Sequence, residues 1–530
     1  VGTRKLGWLV IALVVFPLLA GCGGGPSGPP FRIVVASENQ PFESMLTSFA
    51  KGQGVNLQIT YQGSVDVMRD LQQGDQTAYD ALWPSNSIWI TLGDSQHVVK
   101  HQASIMRSPV VFGVKQSVAK RLGWVGRDVT VDDILKAAES GQLRFMMTSA
   151  TQSNSGASAY LGFLYAFAGH PEVLTSANLH DPAVQGKIKR ILGAVDRSAG
   201  SSGWLKDLFL QRYDSYDAMV NYEAVVIEAN QQLVKDNREP LYVVYPVDGL
   251  ALADYPLGYI DKGDQTKEAF FLKLQQYLLS SDAQKQIQQA GRRIGALGVN
   301  PAAPDPKVFN PSWGIDTTRV LNPVRYPPPD VMLEALSLYQ TTLRKPSFTV
   351  FALDFSGSMA GQRESDLKAA MALLLDQDVA KNYLLQASAD DVTVVITFSD
   401  HILSERSVVG NDPNQLRALL AAIQAESPGG GTDIYSPVMR GYTLMQQRGY
   451  AAYSPSIILM TDGQSNTGRT LSDLDRQLKS QAIEGVPTYS IQFGEAAPDQ
   501  LNQIATLTSG RVFDGRTDLV GAFREAKGYN

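Results

Sequence analysis

The chain has 530 residues, 44% hydrophobic and 18% charged, with a formal charge of −6. That length allows three or four domains, and the hydrophobic fraction supports ordinary globular cores. No basic stretch interleaved with aromatics occurs, which argues against nucleic acid as a partner, and a lone cysteine, Cys22, excludes an intrachain disulfide.

In residues 1–21, Arg4 and Lys5 precede an apolar run from Leu6 to Ala20, which ends on Leu19-Ala20-Gly21-Cys22. A membrane span needs roughly 20 apolar residues, so the run reads as a cleaved leader. It resembles a bacterial lipoprotein signal with its lipobox. The resemblance implies lipidation of Cys22 and an extracytoplasmic chain anchored to a bacterial membrane. Residues 22–30, mostly GGGPSGPP, form a flexible tether.

Residues 31–300 alternate strand and helix signals. Phe31 to Ala36 and Val55 to Tyr61 are strands, each followed by a polar exit and a helix-like stretch, and Tyr79 to Asn86 holds a third strand with its loop. Such alternation predicts an α/β unit with its loops gathered at one edge. Pro109 to Val114 reads as a strand crossing into a second lobe, and Leu241 to Tyr245 as the return. Thr148 to Gly156 carries hydroxyls and free N–H groups at a helix N-terminus, suited to an anion or carboxylate. His97 and His101 have the spacing of one helix face and read as solvated.

This layout resembles the type II extracellular solute-binding proteins of ABC importers, a two-lobed periplasmic-binding-protein-like fold. The resemblance implies a small solute or anion between the lobes. By position the candidates are Ser37, Ser64, Ser85, Ser149 and Ser155, with Tyr222 and Glu223 beyond them. The same residue types also serve as turn and cap residues.

Residues 301–330 contain eight prolines and Trp313 and read as a stiff extended connector. Residues 331–530 form the last domain. It opens with an amphipathic helix, Met332 to Leu343, and continues as a doubly wound, Rossmann-like alternation of strands and helices. The connector favours two independent modules. Any coupling is expected through the Met332 to Leu343 helix, because nothing follows the last candidate helix, Leu519 to Ala526, to receive its motion.

The chemistry concentrates in this domain. Phe348 to Leu353 is a short apolar β-rich run ending on Asp354-Phe355-Ser356-Gly357-Ser358. Ser456 to Thr461 ends on Asp462-Gly463, and Gly429-Gly430-Gly431 leads into Thr432. Loops at the carboxyl ends of strands in an open sheet converge on one crevice, which brings together two carboxylates and three hydroxyls. An all-oxygen set without His or Cys suits a hard octahedral ion, Mg²⁺ or Mn²⁺. Asp354, Ser356, Ser358, Thr432 and Asp462 resemble the metal-ion-dependent adhesion site of the von Willebrand factor type A (VWA) family. The resemblance implies direct ligation by Ser356 and Ser358, ligation by Thr432 when ligand is bound, and water-mediated roles for the two aspartates.

No P-loop, H-E-x-x-H or G-x-S-x-G motif occurs, and the aspartate pair has no nucleophile or His beside it. The expectation is a non-enzymatic envelope adaptor in which the metal captures an acidic residue of a protein partner. The alternative is the substrate-binding subunit of an ABC importer with an accessory docking domain.

Overall fold

The structure, a computed structural model, describes residues 29–295, 304–492, 494, 498–516 and 519–528. The leader, Cys22 and nearly all of the tether lie outside the described residues.

The first lobe starts with β1 (Phe31–Ala36), β2 (Leu57–Gln62), β3 (Ala81–Trp83) and β4 (Val99–Ser104). The second lobe is built from β5 (Ser108–Lys115), β6 (Phe145–Thr148), β7 (Val195–Ala199), β8 (Ala218–Tyr222), β9 (Leu241–Val244) and β10 (Ala251–Ala253), after which β11 (Pro256–Ile260) returns to the first sheet. The strand orders are β2-β1-β3-β11-β4 and β10-β5-β8-β6-β7, with β9 paired to β5. β1 lies parallel between β2 and β3 and is buried on both faces except at Arg32, which is why it reads as a nearly unbroken apolar run.

Two expectations for this half are corrected. Leu241 to Tyr245 is not the return crossing: β9 stays in the second lobe, antiparallel to β5, and the chain returns between β10 and β11. His97 and His101 share no helix face. His97 lies in a turn and His101 in β4, both with positive φ, and the His101 imidazole meets Glu268 at 2.6 Å.

The proline-rich connector is not a free spacer. Trp313, Val308, Phe309 and Ile315 are buried in the same apolar cluster as second-lobe residues, and Val324 N–H donates to the Leu250 carbonyl at 2.7 Å. The helix Pro329–Leu338, expected to open the last domain, packs on the first. Met332, Ala335 and Leu336 are buried in its core, and Tyr160 OH donates to the Ala335 carbonyl at 2.9 Å. An apolar helix stripe follows whichever core lies within reach, and that cannot be told from periodicity.

The last domain is one sheet: β12 (Ser347–Asp354), β13 (Val392–Phe398), β14 (Ile402–Val409), β15 (Ser454–Thr461), β16 (Thr488–Gln492) and β17 (Val512–Asp514), ordered β14-β13-β12-β15-β16-β17. Only β14 runs antiparallel to its neighbour. All eight residues of β12 are buried. Phe351 and Leu353 face one apolar layer and Phe348, Val350 and Ala352 the other, the two-residue period of a strand covered on both sides. The chain leaves β12 for β13 on one side and later fills β15 on the other. The topological switch point therefore lies between β12 and β15, where a ligand crevice is expected.

The two halves are in contact. Arg197 of β7 is buried and donates to Tyr489 OH at 3.0 Å and to the carbonyls of Gly485 and Ser509 at 3.2 and 3.0 Å. This contact packs the two halves against each other.

The entry into β12 is held by Arg344 on Asp391, whose carboxylate also accepts from the N–H groups of Ser347 and Ser388 at 2.7 and 2.8 Å. Burial alone raises this carboxyl, but Arg344 and those donors bring it down from 3.8 to about 2. Its folded value is depressed, so its stabilisation is full above the ordinary value and is lost as pH falls through about 2. Arg344→Ala strands a buried carboxylate and should cost about 3–5 kcal/mol, read as a lower urea midpoint for this domain at neutral pH. An unchanged midpoint would contradict the assignment.

Candidate metal centre and solute cleft

Asp354 is the last residue of β12, and its carboxylate is held from two sides. Ser356 N–H donates to Oδ1 at 2.7 Å, and the hydroxyl of Thr461, at the end of the adjacent β15, donates to Oδ2 at 2.6 Å. The parallel register Leu353↔Met460 makes Asp354 and Thr461 neighbours. One residue on, Asp462 accepts from the Ser358 hydroxyl at 2.8 Å, and Ser358 Oγ lies 3.3 Å from Ser356 Oγ.

The glycine run reaches the same crevice by backbone pairing. Gly357 N–H donates to the Gly430 carbonyl at 3.1 Å and Gly429 N–H to the Phe355 carbonyl at 2.8 Å. Thr432 is fixed by Asn466, whose side chain accepts from its N–H at 3.1 Å while the Asn466 N–H donates to its carbonyl at 3.0 Å. A Cβ on Gly463 would lie 3.5 Å from Thr432 Oγ1 and 3.7 Å from Ser358 Oγ, so hydroxyls from two loops face one point. All five predicted metal residues therefore surround one crevice at the switch point.

Asp354, Ser356, Thr432 and Asp462 are buried, whereas Ser358 stands exposed at the mouth. Burial pushes the Asp354 carboxyl up to about 6, against the donors from Thr461 and Ser356, and the nearby Asp462 charge adds to the rise. Two carboxylates at adjacent strand ends demand positive charge. Arg363, which sequence reasoning missed, answers part of it: its guanidinium pairs with Asp462 and donates to the Ser358 carbonyl at 3.3 Å. Among the described residues no three His, Cys, Asp or Glu side chains form a metal cluster. Two carboxylates and three hydroxyls are instead the set a hard, water-retaining cation takes, and the residues present fit Mg²⁺ or Mn²⁺.

A cavity of about 510 Å³ lies between the lobes. Of the residues proposed for solute, Ser37 lines it. The others do not line it and are bonded to protein. Ser64 and Ser85 pair at 2.9 Å, and Ser85 also donates to buried Glu38, whose carboxyl burial pushes up. Ser155 meets Thr148 and Ser202 at 2.8 and 2.7 Å, Ser149 meets Thr151 at 3.2 Å, and Tyr222 OH accepts from Asn154 at 3.0 Å. Glu223 is a bidentate partner of Arg293 at 2.7 Å, and Arg293 pairs by backbone with Arg107 where the chain crosses between lobes. Glu223 does not line the cavity.

Residues not among the solute candidates also line the cavity, among them Gln40, Tyr61, Asp66, Gln152, Trp204 and Lys206. Trp204 follows Gly200-Ser201-Ser202-Gly203, a helix entry of the same small-residue character as the stretch singled out before Gly156, and that character was a usable signal.

Residues 31–293 match the family model described as bacterial extracellular solute-binding protein, and residues 349–518 match the von Willebrand factor type A domain. The chain thus joins an extracellular solute-binding domain to a VWA domain, two binding families, and the first implies an extracytoplasmic location. Similar curated proteins include inter-alpha-trypsin inhibitor heavy chain H3 of Mesocricetus auratus, 32% identical over 158 residues, and its Homo sapiens counterpart, 27% identical over 157. The matched part is 28% of this chain in both cases and spans only 17% and 16% of those relatives. Similar solved structures include a von Willebrand factor type A protein from Catenulispora acidiphila (21% identity, 36% of this chain and 43% of that one, TM-score 0.29). Another is the sulfate-binding protein SubI of Mycobacterium tuberculosis H37Rv (18% identity, 57% and 94%, TM-score 0.38). A third is an ABC transporter solute-binding protein of Agrobacterium radiobacter K84 in complex with ribitol (10%, 59% and 92%, TM-score 0.43). Among the described residues no helix is long and apolar enough to cross a membrane.

Calorimetry with Mg²⁺ should show binding by the wild-type chain and none by Asp354→Ala or Ser356→Ala. Arg363→Ala removes a competing cation from Asp462 and should tighten Mg²⁺ several-fold. Weaker binding in that variant would mean that Arg363 supports the site instead of competing for it.

Proposed function

We propose that this chain is a non-enzymatic binding protein of the cell envelope, anchored through a lipidated Cys22, whose VWA domain captures an acidic residue of a protein partner in a Mg²⁺-dependent way. The observation that carries this reading is the convergence of Asp354, Asp462, Ser356, Ser358 and Thr432 from three loops on one crevice. Mg²⁺ held there supplies an exchangeable coordination position for an outside carboxylate. The protein's part is to keep the donors in place. Thr461 and the Ser356 N–H orient Asp354, Asn466 orients Thr432, and Asp462 orients the exposed Ser358 hydroxyl. Neutral hydroxyls leave the cation's charge partly uncompensated, which favours an incoming anion. In a pull-down from envelope extract, the full chain should retain a partner in Mg²⁺, lose it in EDTA, and retain none as Asp354→Ala. Retention by that variant would end the adhesion reading.

The interlobe cavity supports a second reading, the substrate-binding subunit of an importer with the VWA domain as a docking accessory. Its polar lining and the rings of Tyr61 and Trp204 suit a small polar solute. Native mass spectrometry of the full chain should then show a co-purified small solute that is reduced in Trp204→Ala. A bare chain in both preparations would count against solute binding.

A further inference from the structure

The cavity between the lobes has a third wall. Besides residues of both lobes, it is lined by Arg511 and Glu525 of the VWA domain. The C-terminal helix, Leu519–Gly528, lies across its edge. From this helix Arg524 pairs with Asp66 on the first lobe, while its backbone carbonyl accepts from Gln152 on the second. Both charged side chains are mostly buried, at 13% and 18% exposure. Nearby, Arg69 of the first lobe lies 4.2 Å above the ring of Tyr383 in the VWA domain and donates to its carbonyl at 3.4 Å.

The grip on the second lobe is the more extensive. Arg197 makes three bonds into the VWA domain, Arg212 reaches Ser509, and Arg511 lies 5.9 Å over the ring of Trp204. The lobes themselves touch beneath this clasp. A Cβ on Gly63 of the first lobe would sit 2.3 Å from the Gln152 carbonyl oxygen of the second, closer than any side chain tolerates. Gly63 has an ordinary φ of −69°, so glycine is needed there for approach and not for conformation. A two-lobed binding protein works by hinged opening and closing. A body attached to both lobes cannot stay attached to both when the angle changes.

We propose that the VWA domain is the clasp of the solute cleft: it rides on the second lobe through Arg197 and grips the first through Arg524 on Asp66, so that the cleft opens only when that pair parts. The last helix is then the receiver of lobe motion, whereas coupling was expected through the Met332 to Leu343 helix. Its Phe523 stacks on Phe351 of β12 at 5.8 Å, three residues before Asp354, so the clasp is one side chain from the strand that ends in the metal crevice. By reciprocity, whatever changes docking of this helix changes the opening equilibrium by the same factor.

The proposal rests on the reading of the cavity as a solute cleft, but its test needs no solute. In the full chain carrying Cys22→Ser, Val225→Cys supplies the only thiol. Val225 lines the cavity and is 1% exposed, so its reaction with N-ethylmaleimide reports cleft opening. Asp66→Asn breaks the pair, and Gly63→Ala forces the lobes apart by a different route. Each should raise the labelling rate about tenfold or more, as expected for loss of a mostly buried ion pair or close contact. Val118→Cys, buried in the second lobe away from the cavity, serves as the reporter of general loosening and should not change. Unchanged Val225→Cys labelling in Asp66→Asn, with Gly63→Ala as the check that the reporter senses opening, or an equal rise at Val118→Cys, would overturn the clasp. Either result would leave the search for a co-purified solute to decide the cleft reading separately.

Discussion

A carboxylate taken out of water has to meet positive charge, and three joints of this chain are built on that demand. Glu223 meets Arg293 where the chain crosses between lobes. Asp391 meets Arg344 where the connector enters the last sheet, and Asp66 meets Arg524 where that domain reaches the first lobe. Such pairs add little net stability over an apolar contact of similar shape, but breaking one is costly, so they fix geometry more than they add strength. Asp354 and Asp462 pose the same demand at two adjacent strand ends. Arg363 answers it for one, while Asp354 is held by hydroxyl and amide donors. The protein has built a place where further positive charge is welcome.

The second organising feature is β12. It is buried along its length, carries the interior of the VWA sheet, and ends in Asp354, the first of the converging oxygen donors. The same strand stacks Phe351 on the helix whose Arg524 crosses to the first lobe. Chemistry, core and interdomain contact therefore share one element. This differs from two modules on a spacer, where each site answers only to its own domain.

How much of this was legible in the sequence differs between the two halves. The convergence of the oxygen donors could be read because parallel-sheet topology sends strand ends to a common edge, so short motifs at Asp354, Thr432 and Asp462 imply proximity. The lining of the cavity was not legible because hydroxyl-rich loops look alike whether they cap helices or face solute. Ser64, Ser85, Ser149, Ser155 and Tyr222 bond to protein, and only Ser37 lines the cavity. Glu223 was placed near a ligand by its position at a strand end, but it pairs over long range with Arg293.

What the sequence by itself determined is local and periodic: strand and helix alternation, the two sheets of the first half, the doubly wound last domain and its oxygen-donor set. These follow from backbone geometry and side-chain period, which act over a few residues. Which core the Pro329–Leu338 helix joins, where the proline connector lies, and what the last helix touches were decided only by tertiary structure. An apolar stripe or a lone arginine specifies that it must be covered or paired, but not by which partner. Arg524 and Asp66 are 458 residues apart in the chain, and no local pattern carries information over that separation.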